Sequence, residues 1–209
     1  EQPDERVTLD TPEKIRQVLV NAYPTSSFAY ACEMSSDNID DYGKDNPNFS
    51  KFTYDLAYWQ DGPEYNTSDG MRALWRSHYL AIQHANTALK AIEKLGGGSE
   101  MNPHKGEALV ARAYAHFVLV NLFGKHYNTA TSSSDLGVPY RTLPEETLNP
   151  QYQRNTVAEV YAAIDKDLTE GLPLISDSYY TQKERHFNKS AAEAFAARFY
   201  LFYEQWDKA

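Results

Sequence analysis

The chain has 209 residues, of which 42% are hydrophobic and 23% are charged, and its formal net charge is −9. This composition is typical of a globular protein, and the acidic balance argues against a nucleic-acid partner because phosphate backbones would be repelled. The single cysteine, Cys32, excludes an internal disulfide and a cysteine-based zinc site. No stretch approaches the ~20 consecutive apolar residues of a membrane-spanning helix.

The N-terminal part of the sequence predicts one helix and then a long connection. Thr11 and Pro12 are typical of a helix start, with threonine as the N-cap and proline in the first turn. Apolar residues at helical spacing extend the helix toward Pro24, which should end it. A short helix or irregular segment is predicted over 26–35. Residues 36–70 are so rich in Asp, Asn, Gly and Pro that they predict a long surface loop.

Aromatic residues are interleaved with the turn formers of this loop. They are Tyr42, Phe49, Phe52, Tyr54, Tyr58, Trp59 and Tyr65. A loop of about 35 residues is uncommon in a compact domain and is usually functional or disordered. Because aromatic residues are depleted in disordered segments, the pattern favours a functional loop.

Two long helices are predicted next. A continuous apolar stripe at three- and four-residue spacing predicts a helix over 71–94, and the glycines at 96–98 are expected to end it. A second helix is predicted over 103–123, with a proline near its start and Gly124 just past its end. Its alanines should let a neighbouring helix approach closely.

The last part of the chain predicts a long connection and two further helices. The connection covers 125–155. Thr156 followed by Glu159 forms a capping box at the start of a helix over 156–171. Ser190 followed by Glu193 predicts a second capping box, for a helix over 190–206.

An internal repeat relates the second and fourth of these helices. The segment Glu107–Tyr114 matches Glu193–Tyr200 at an offset of 86, with five of eight residues identical. The repeat predicts two α-hairpins, 71–94 with 103–123 and 156–171 with 190–206, in which small residues allow close helix crossing. Since 86 far exceeds the ~34-residue period of a plain tetratricopeptide repeat, the predicted fold is all-α, with TPR-like hairpins carrying long loop insertions. The repeated arginines should bond carbonyls or a carboxylate.

Several segments, in this order along nearly the whole chain, resemble the SusD/RagB family of outer-membrane nutrient-binding lipoproteins. They are Ser36-Asp37-Asn38, the helix from Leu74 to Asn86 with its Trp, Tyr and Ile spacing, Glu107-Ala108, Arg112-Ala113-Tyr114, Phe123-Gly124, Gly137-Val138-Pro139-Tyr140, Ala197–Leu201 and Gln205–Ala209. The resemblance implies an all-α superhelix of four TPR-like hairpins, with ligand contacts mostly from loops. Family members are usually more than twice as long, so 1–209 is expected to be a single N-terminal SusD-like domain of a longer chain or a short variant.

The resemblance also implies a function. A member of this family binds a nutrient, a polysaccharide or oligosaccharide, without chemistry and delivers it to a SusC-like, TonB-dependent transporter. It would reside at the bacterial outer-membrane surface, held by an N-terminal lipid anchor outside this chain. A peptide ligand, or a TPR-type scaffold that binds a protein segment, stays open as the alternative.

The loop aromatics are the best candidates for ligand contacts. Sugars present flat C–H faces to aromatic rings, with polar side chains nearby for their hydroxyl groups. The predicted ligand-binding residues are Trp59, Tyr58, Tyr65, Asp61 and Asn66. The competing interpretation is that these rings pin the loop onto the helices. Trp75 and Trp206, which lie on helix stripes, are instead expected in the core.

Catalysis and metal binding are disfavoured by the sequence. Acidic loop residues could supply the carboxylate pair of a glycosidase, but their pattern is typical of solvated turns; they are Asp37, Asp40, Asp41 and Asp61. The segment 37–48 departs from a calcium loop at its third and twelfth positions, Ile39 and Asn48. We therefore expect no catalytic residue, no metal site and no cofactor.

Overall fold

The computed structural model describes residues 8–45, 47, 49–60, 67–68, 70–147 and 150–209. Within these residues the regular structure is helical, and the one β-type feature is an isolated bridge between Leu136 and Thr156. The α-helices are α1 (Pro12–Leu19), α2 (Ala29–Met34), α3 (Lys51–Ala57), α4 (Met71–Lys94), α5 (Asn102–Phe123), α6 (Val157–Gly171) and α7 (Lys189–Phe202). The prediction of an all-α fold is confirmed.

The chain forms two compact units. The smaller unit is Pro24–His78, and the larger comprises Glu1–Tyr23 and Tyr79–Ala209. Helix α4 contributes its first two turns to the smaller unit and the rest to the larger one. Helices α5, α6 and α7 all belong to the larger unit.

The larger unit is built around α5, which is buried along most of its length. Ile15, Val18 and Leu19 of α1 pack into one core cluster with small residues of its neighbours, and these are Ala85, Ala88 and Ala91 of α4 and Ala108 and Ala111 of α5. Alanine side chains of both long helices therefore line this cluster. Helix α1 ends at Leu19, so the prediction that it extends to Pro24 is wrong.

Helices α5 and α6 come closest at two glycines. A Cβ atom on Gly106 would lie 2.9 Å from the Gly171 carbonyl oxygen, and one on Gly171 would lie 3.2 Å from the Gly106 carbonyl oxygen. Real side chains essentially never come within 3.0 Å, so at Gly106 this crossing requires the absence of a side chain. The predicted capping box of α6 is present, with Thr156 and Glu159 bonding each other's backbone N–H groups.

Helix α7 starts differently from the prediction. Asn188 is the N-cap, and its side-chain oxygen accepts a hydrogen bond from the Ala191 N–H at 2.9 Å, so the predicted Ser190 capping box is wrong. The helix thus begins two residues earlier, and its cap bonds the Ala191 N–H instead of the Glu193 N–H that Ser190 was predicted to bond. Trp206 lies past the helix in a 3₁₀ turn and is 66% exposed, and Trp75 is 36% exposed. The expectation that both pack in the core is wrong.

The smaller unit contains α2, α3 and the first turns of α4. The predicted loop over 36–70 is interrupted by α3, which corrects the expectation of one continuous loop. Phe52, Asp55 and Leu56 are spaced three and four residues apart and are buried, so they form one helical face. The turn formers on both sides of this seven-residue helix concealed its short periodicity.

Candidate functional site

Exposed aromatic side chains gather along α3 in the smaller unit. We call Phe49, Tyr54, Tyr58 and Trp59 the α3 aromatic surface; each is an exposed large hydrophobic residue, and Trp59 is 77% exposed. The ring centroids of Phe49 and Tyr54 are 6.0 Å apart, and those of Tyr54 and Tyr58 are 4.5 Å apart. Tyr54 and Tyr58 are four residues apart on the helix, which places their rings side by side.

A carboxylate fixes one ring of this surface. The Tyr58 hydroxyl donates a hydrogen bond to Asp41 Oδ2 at 2.6 Å, and the Gly43 N–H donates to Asp41 Oδ1 at 2.7 Å. These two bonds, the tyrosine's first, lower the pKa of Asp41 below its ordinary value, and the same carboxylate raises the pKa of Tyr58. At neutral pH, Asp41 is therefore charged and Tyr58 keeps its proton.

Trp59 stands at a position that favours glycine. The N–H of Gln60 bonds the Asp55 carbonyl at 2.8 Å and the N–H of Trp59 bonds the Leu56 carbonyl at 3.3 Å, which together form a Schellman motif at the end of α3. The residue after the C-cap of this motif is left-handed, and Trp59 has a φ of 52°. A non-glycine residue there costs about 1 kcal/mol, yet the position holds a large and exposed ring.

The structure describes two of the five predicted ligand-binding residues. Tyr58 and Trp59 are adjacent in the chain, and both side chains are exposed. Asp61, Tyr65 and Asn66 fall outside the described residues. Phe49, Tyr54 and Asp41 were not among the predicted site residues, although the four-residue spacing of Tyr54 and Tyr58 could have indicated the ring pair.

The larger unit has a groove of about 930 Å³ between α4, α5 and α6. Apolar residues of its lining include Leu89, Ile92, Met101, Leu109 and Leu143, and charged ones include Glu93, Lys105, Lys166 and Glu170. The glycines at 96–98 lie at one end, and each has a positive φ. The lining is thus mixed, with slightly more polar than apolar surface and charges of both signs.

A buried ion pair lies at the inner wall of the groove. Arg112 Nη2 is 2.7 Å from Asp167 Oδ1 and its Nε donates to Oδ2 at 2.7 Å, which is a bidentate geometry. Tyr140 also donates to Asp167 Oδ2 at 2.6 Å, and Asn86 Oδ1 accepts from Arg112 at 2.9 Å. The prediction that Arg112 bonds a carboxylate is confirmed, whereas Arg198, its counterpart in the repeat, is exposed.

A neutral histidine supports this network. The Arg141 N–H donates to His116 Nε2 at 3.0 Å, so His116 Nδ1 carries the proton and donates to the Arg112 carbonyl at 2.9 Å. Burial lowers the pKa of His116 to about 3. The neutral ring stacks on Tyr140 with a centroid distance of 3.9 Å. The polar atoms at the groove wall are thus engaged with one another, which points to a structural role.

Neither a metal cluster nor a membrane span appears in the part of the chain that the structure describes. Three or more His, Cys, Asp or Glu side chains grouped for a metal ion are not found there. No helix within those residues is long and apolar enough to cross a membrane.

Helices packed around α5 define an all-α, TPR-like helical protein. Residues 1–201 match the model of the SusD-like family, which is described as starch-binding and associating with the outer membrane. The chain belongs to this SusD-like family. No curated protein matches the sequence.

Solved structures share the fold. The chain is similar to a SusD superfamily protein from Bacteroides thetaiotaomicron, with a TM-score of 0.72 and 23% identity over 97% of this chain and 44% of that one. It is also similar to a putative sugar binding protein from Bacteroides vulgatus, with a TM-score of 0.74 and 24% identity over 97% and 45%. A third similar structure is that of a laminarin binding SusD-like protein, with a TM-score of 0.71 and 20% identity over 96% of this chain and 42% of that one. The chain therefore spans less than half the length of these proteins.

Proposed function

We propose that this chain belongs to a non-catalytic nutrient-binding protein that holds a polysaccharide or oligosaccharide on the α3 aromatic surface. The observation that carries the proposal is Trp59, an exposed tryptophan kept in a left-handed conformation directly after Tyr58, whose ring packs on Tyr54. Backbone strain of this kind is typical of ligand-contact positions. Family membership supports a carbohydrate ligand, because the family is described as starch-binding.

The chemistry of the surface suits a sugar. Aromatic rings contact the apolar C–H faces of a pyranose ring, while nearby polar groups bond its hydroxyls. Asp41 remains charged, and each of its oxygens can accept a further hydrogen bond. We propose Tyr58 and Trp59 as ligand contacts, joined by Asp61, Tyr65 and Asn66 from the neighbouring segment.

The proposal extends to a cellular role. The protein would sit at the bacterial outer-membrane surface through an N-terminal lipid anchor and hand its ligand to a SusC-like, TonB-dependent transporter. The family's association with the outer membrane supports this placement. Co-purification of a TonB-dependent transporter with the protein from solubilised outer membranes tests the transporter step, and its absence under conditions that preserve other envelope complexes would argue against that step.

Affinity electrophoresis tests binding directly. The protein is run through native gels containing soluble starch, laminarin, xylan or galactomannan, and reducing ends are measured in parallel incubations. We expect retardation by at least one polysaccharide, no release of reducing ends, and loss of retardation in Trp59→Gly. Release of new reducing ends would show an enzyme instead, and free migration in every gel would overturn the proposal.

A second candidate function, binding of a peptide segment, is favoured by the groove of the larger unit. Its volume of about 930 Å³ and its mixed lining, with apolar residues and charged residues of both signs, suit a short peptide. A peptide library screened against the protein tests it. Binding that Leu89→Glu abolishes and Trp59→Gly leaves intact would support the groove, and binding insensitive to Leu89→Glu would exclude it.

A further inference from the structure

The negative charge of the chain is concentrated in the segment of sequence that contains the α3 aromatic surface. Residues 30–70 contain nine carboxylates and two lysines, a net charge of −7 out of −9 for the whole chain. This segment is about a fifth of the sequence, so the other residues together are close to neutral. It also holds all four residues of the aromatic surface.

The described contacts bring two of these carboxylates to the rings. Asp41 bonds the Tyr58 hydroxyl, and the Asp41 N–H bonds Asp40 Oδ1 at 2.9 Å. Both carboxylates raise the pKa of Tyr58, Asp41 more strongly, which places the two charges within electrostatic reach of the ring. Lys51, one of the two lysines, is bonded to the buried Asp55 at 2.7 Å, so its charge is already balanced.

We infer that the α3 aromatic surface selects uncharged glycans and rejects polyanionic ones, such as uronic-acid-rich or sulfated polysaccharides. The inference rests on the proposed function and names its ligand class. A sugar hydroxyl can donate a hydrogen bond to Asp41, whereas a sugar carboxylate or sulfate meets the like charges of Asp40 and Asp41. Like charges in close contact repel each other even in water, and repulsion of the wrong ligand is a common source of specificity.

Matched polymers test this selection. Laminarin or soluble starch, whichever retards the protein, is compared with its own carboxymethylated derivative in affinity gels at 20 mM and 500 mM salt. We expect the neutral polymer to bind equally at both salt concentrations. The carboxymethylated polymer should bind at least about fivefold more weakly at low salt, and the difference should shrink at high salt as charges are screened.

Asp→Asn variants separate the effect of charge on glycan binding from the effect of side-chain shape. Asp40→Asn with Asp45→Asn removes two exposed charges of the segment and keeps the side-chain size. It should improve binding of the carboxymethylated polymer about fivefold and leave neutral binding within twofold. Glu93→Gln with Glu100→Gln, exposed residues of the larger unit, changes the net charge equally and should leave both affinities unchanged.

The outcomes are distinct. Equal or tighter binding of the carboxymethylated polymer at low salt overturns the selection and leaves glycan binding intact. An equal gain in the Glu93/Glu100 variant would show a general effect of net charge and would also overturn it. No binding of either polymer, or of any other neutral glycan, removes the proposed function and this inference together.

Discussion

Trp59 and Glu204 occupy the same position in two copies of one helix-ending motif. Each is the first residue after a helix C-cap, with φ values of 52° and 59°, and each is followed by an N–H bonded to the carbonyl five residues back. At the end of α4 the equivalent residue is Gly96, with a φ of 80°. The motif therefore accepts glycine where the chain has glutamate or tryptophan.

Trp59→Gly should consequently leave the fold at least as stable as it is. Glycine relieves the left-handed strain, and we expect the free energy of unfolding to rise by up to about 1 kcal/mol in urea melts. Glu204→Gly is the matched control, with the same backbone change in the other unit. Both variants should behave alike in stability, while glycan binding is lost in Trp59→Gly alone. A Trp59→Gly protein that unfolds more easily would show that the ring stabilises the smaller unit.

The buried pair of Arg112 and Asp167 makes a second prediction. Asp167→Asn removes the charge that balances Arg112 and weakens the acceptor of Tyr140, so it should lower the free energy of unfolding by about 3–5 kcal/mol. Glu170→Gln, which breaks the exposed Lys166–Glu170 pair at 4.0 Å, should cost less than about 1 kcal/mol. Chemical denaturation of the two variants tests this. A loss in Asp167→Asn as small as that in Glu170→Gln would show that the pair contributes little.

Sequence patterns predicted the long elements of the fold well. The apolar stripe over 71–94 coincides with α4, and the Thr156 capping box begins α6, because both patterns are local and strong. The internal repeat correctly predicted that α5 and α7 are helices with matching sequences. It did not predict their different burial: Arg112 is enclosed by Asn86 of α4 and Asp167 of α6, while Arg198 is exposed. Identity of sequence does not determine which neighbours cover a helix.

The candidate site was predictable only in part. The aromatic residues of 36–70 indicated the region of the site. A loop of that length is usually functional or disordered, and its aromatic residues argue against disorder. The contact between Asp41 and Tyr58 joins residues 17 positions apart across α3, which no local pattern indicated. The left-handed conformation of Trp59 was equally hidden, because the motif that produces it normally shows as a glycine.

The Asp41–Tyr58 hydrogen bond makes a third prediction. Tyr58→Phe keeps the ring and removes the donor, so the pKa of Asp41 should rise toward its ordinary value. NMR titration of the Asp41 carboxyl carbon measures the shift. Tyr54→Phe, which leaves this donor in place, should not change it. An unchanged Asp41 pKa in Tyr58→Phe would mean that the Gly43 N–H alone keeps the carboxylate charged.

The close approach of α5 and α6 makes a fourth prediction. Alanine normally stabilises a helix interior by about 1 kcal/mol relative to glycine. In Gly106→Ala, however, the new Cβ would lie 2.9 Å from the Gly171 carbonyl oxygen and 2.9 Å from Leu174 Cβ. The helices must separate, so we expect a net loss of about 1–3 kcal/mol in thermal and urea melts. A stabilised Gly106→Ala protein would show that α5 and α6 can shift apart without cost.

Buried neutral histidines predict how stability depends on pH. Burial lowers the pKa of His116 to about 3 and that of His104 to about 4, against an ordinary value of 6.5. Between these values and 6.5, the unfolded chain binds protons that the folded chain does not. The stabilisation is therefore complete above pH 6.5 and is lost as the pH falls, by about 1.4 kcal/mol per pH unit for each such histidine.

Urea melts at pH 7.0, 6.0 and 5.0 measure this slope, in a range where few carboxylates titrate. We expect the free energy of unfolding to fall steadily, most of all between pH 6.0 and 5.0, where the unfolded histidines become fully protonated. His116→Gln removes one titrating group, so its melts should show a slope smaller by up to about 1.4 kcal/mol per pH unit, even though its stability at pH 7.0 is lower. A wild-type protein equally stable at pH 7.0 and 5.0 would show that these rings accept protons without unfolding, contrary to the burial of His116 between Arg112 and Arg141.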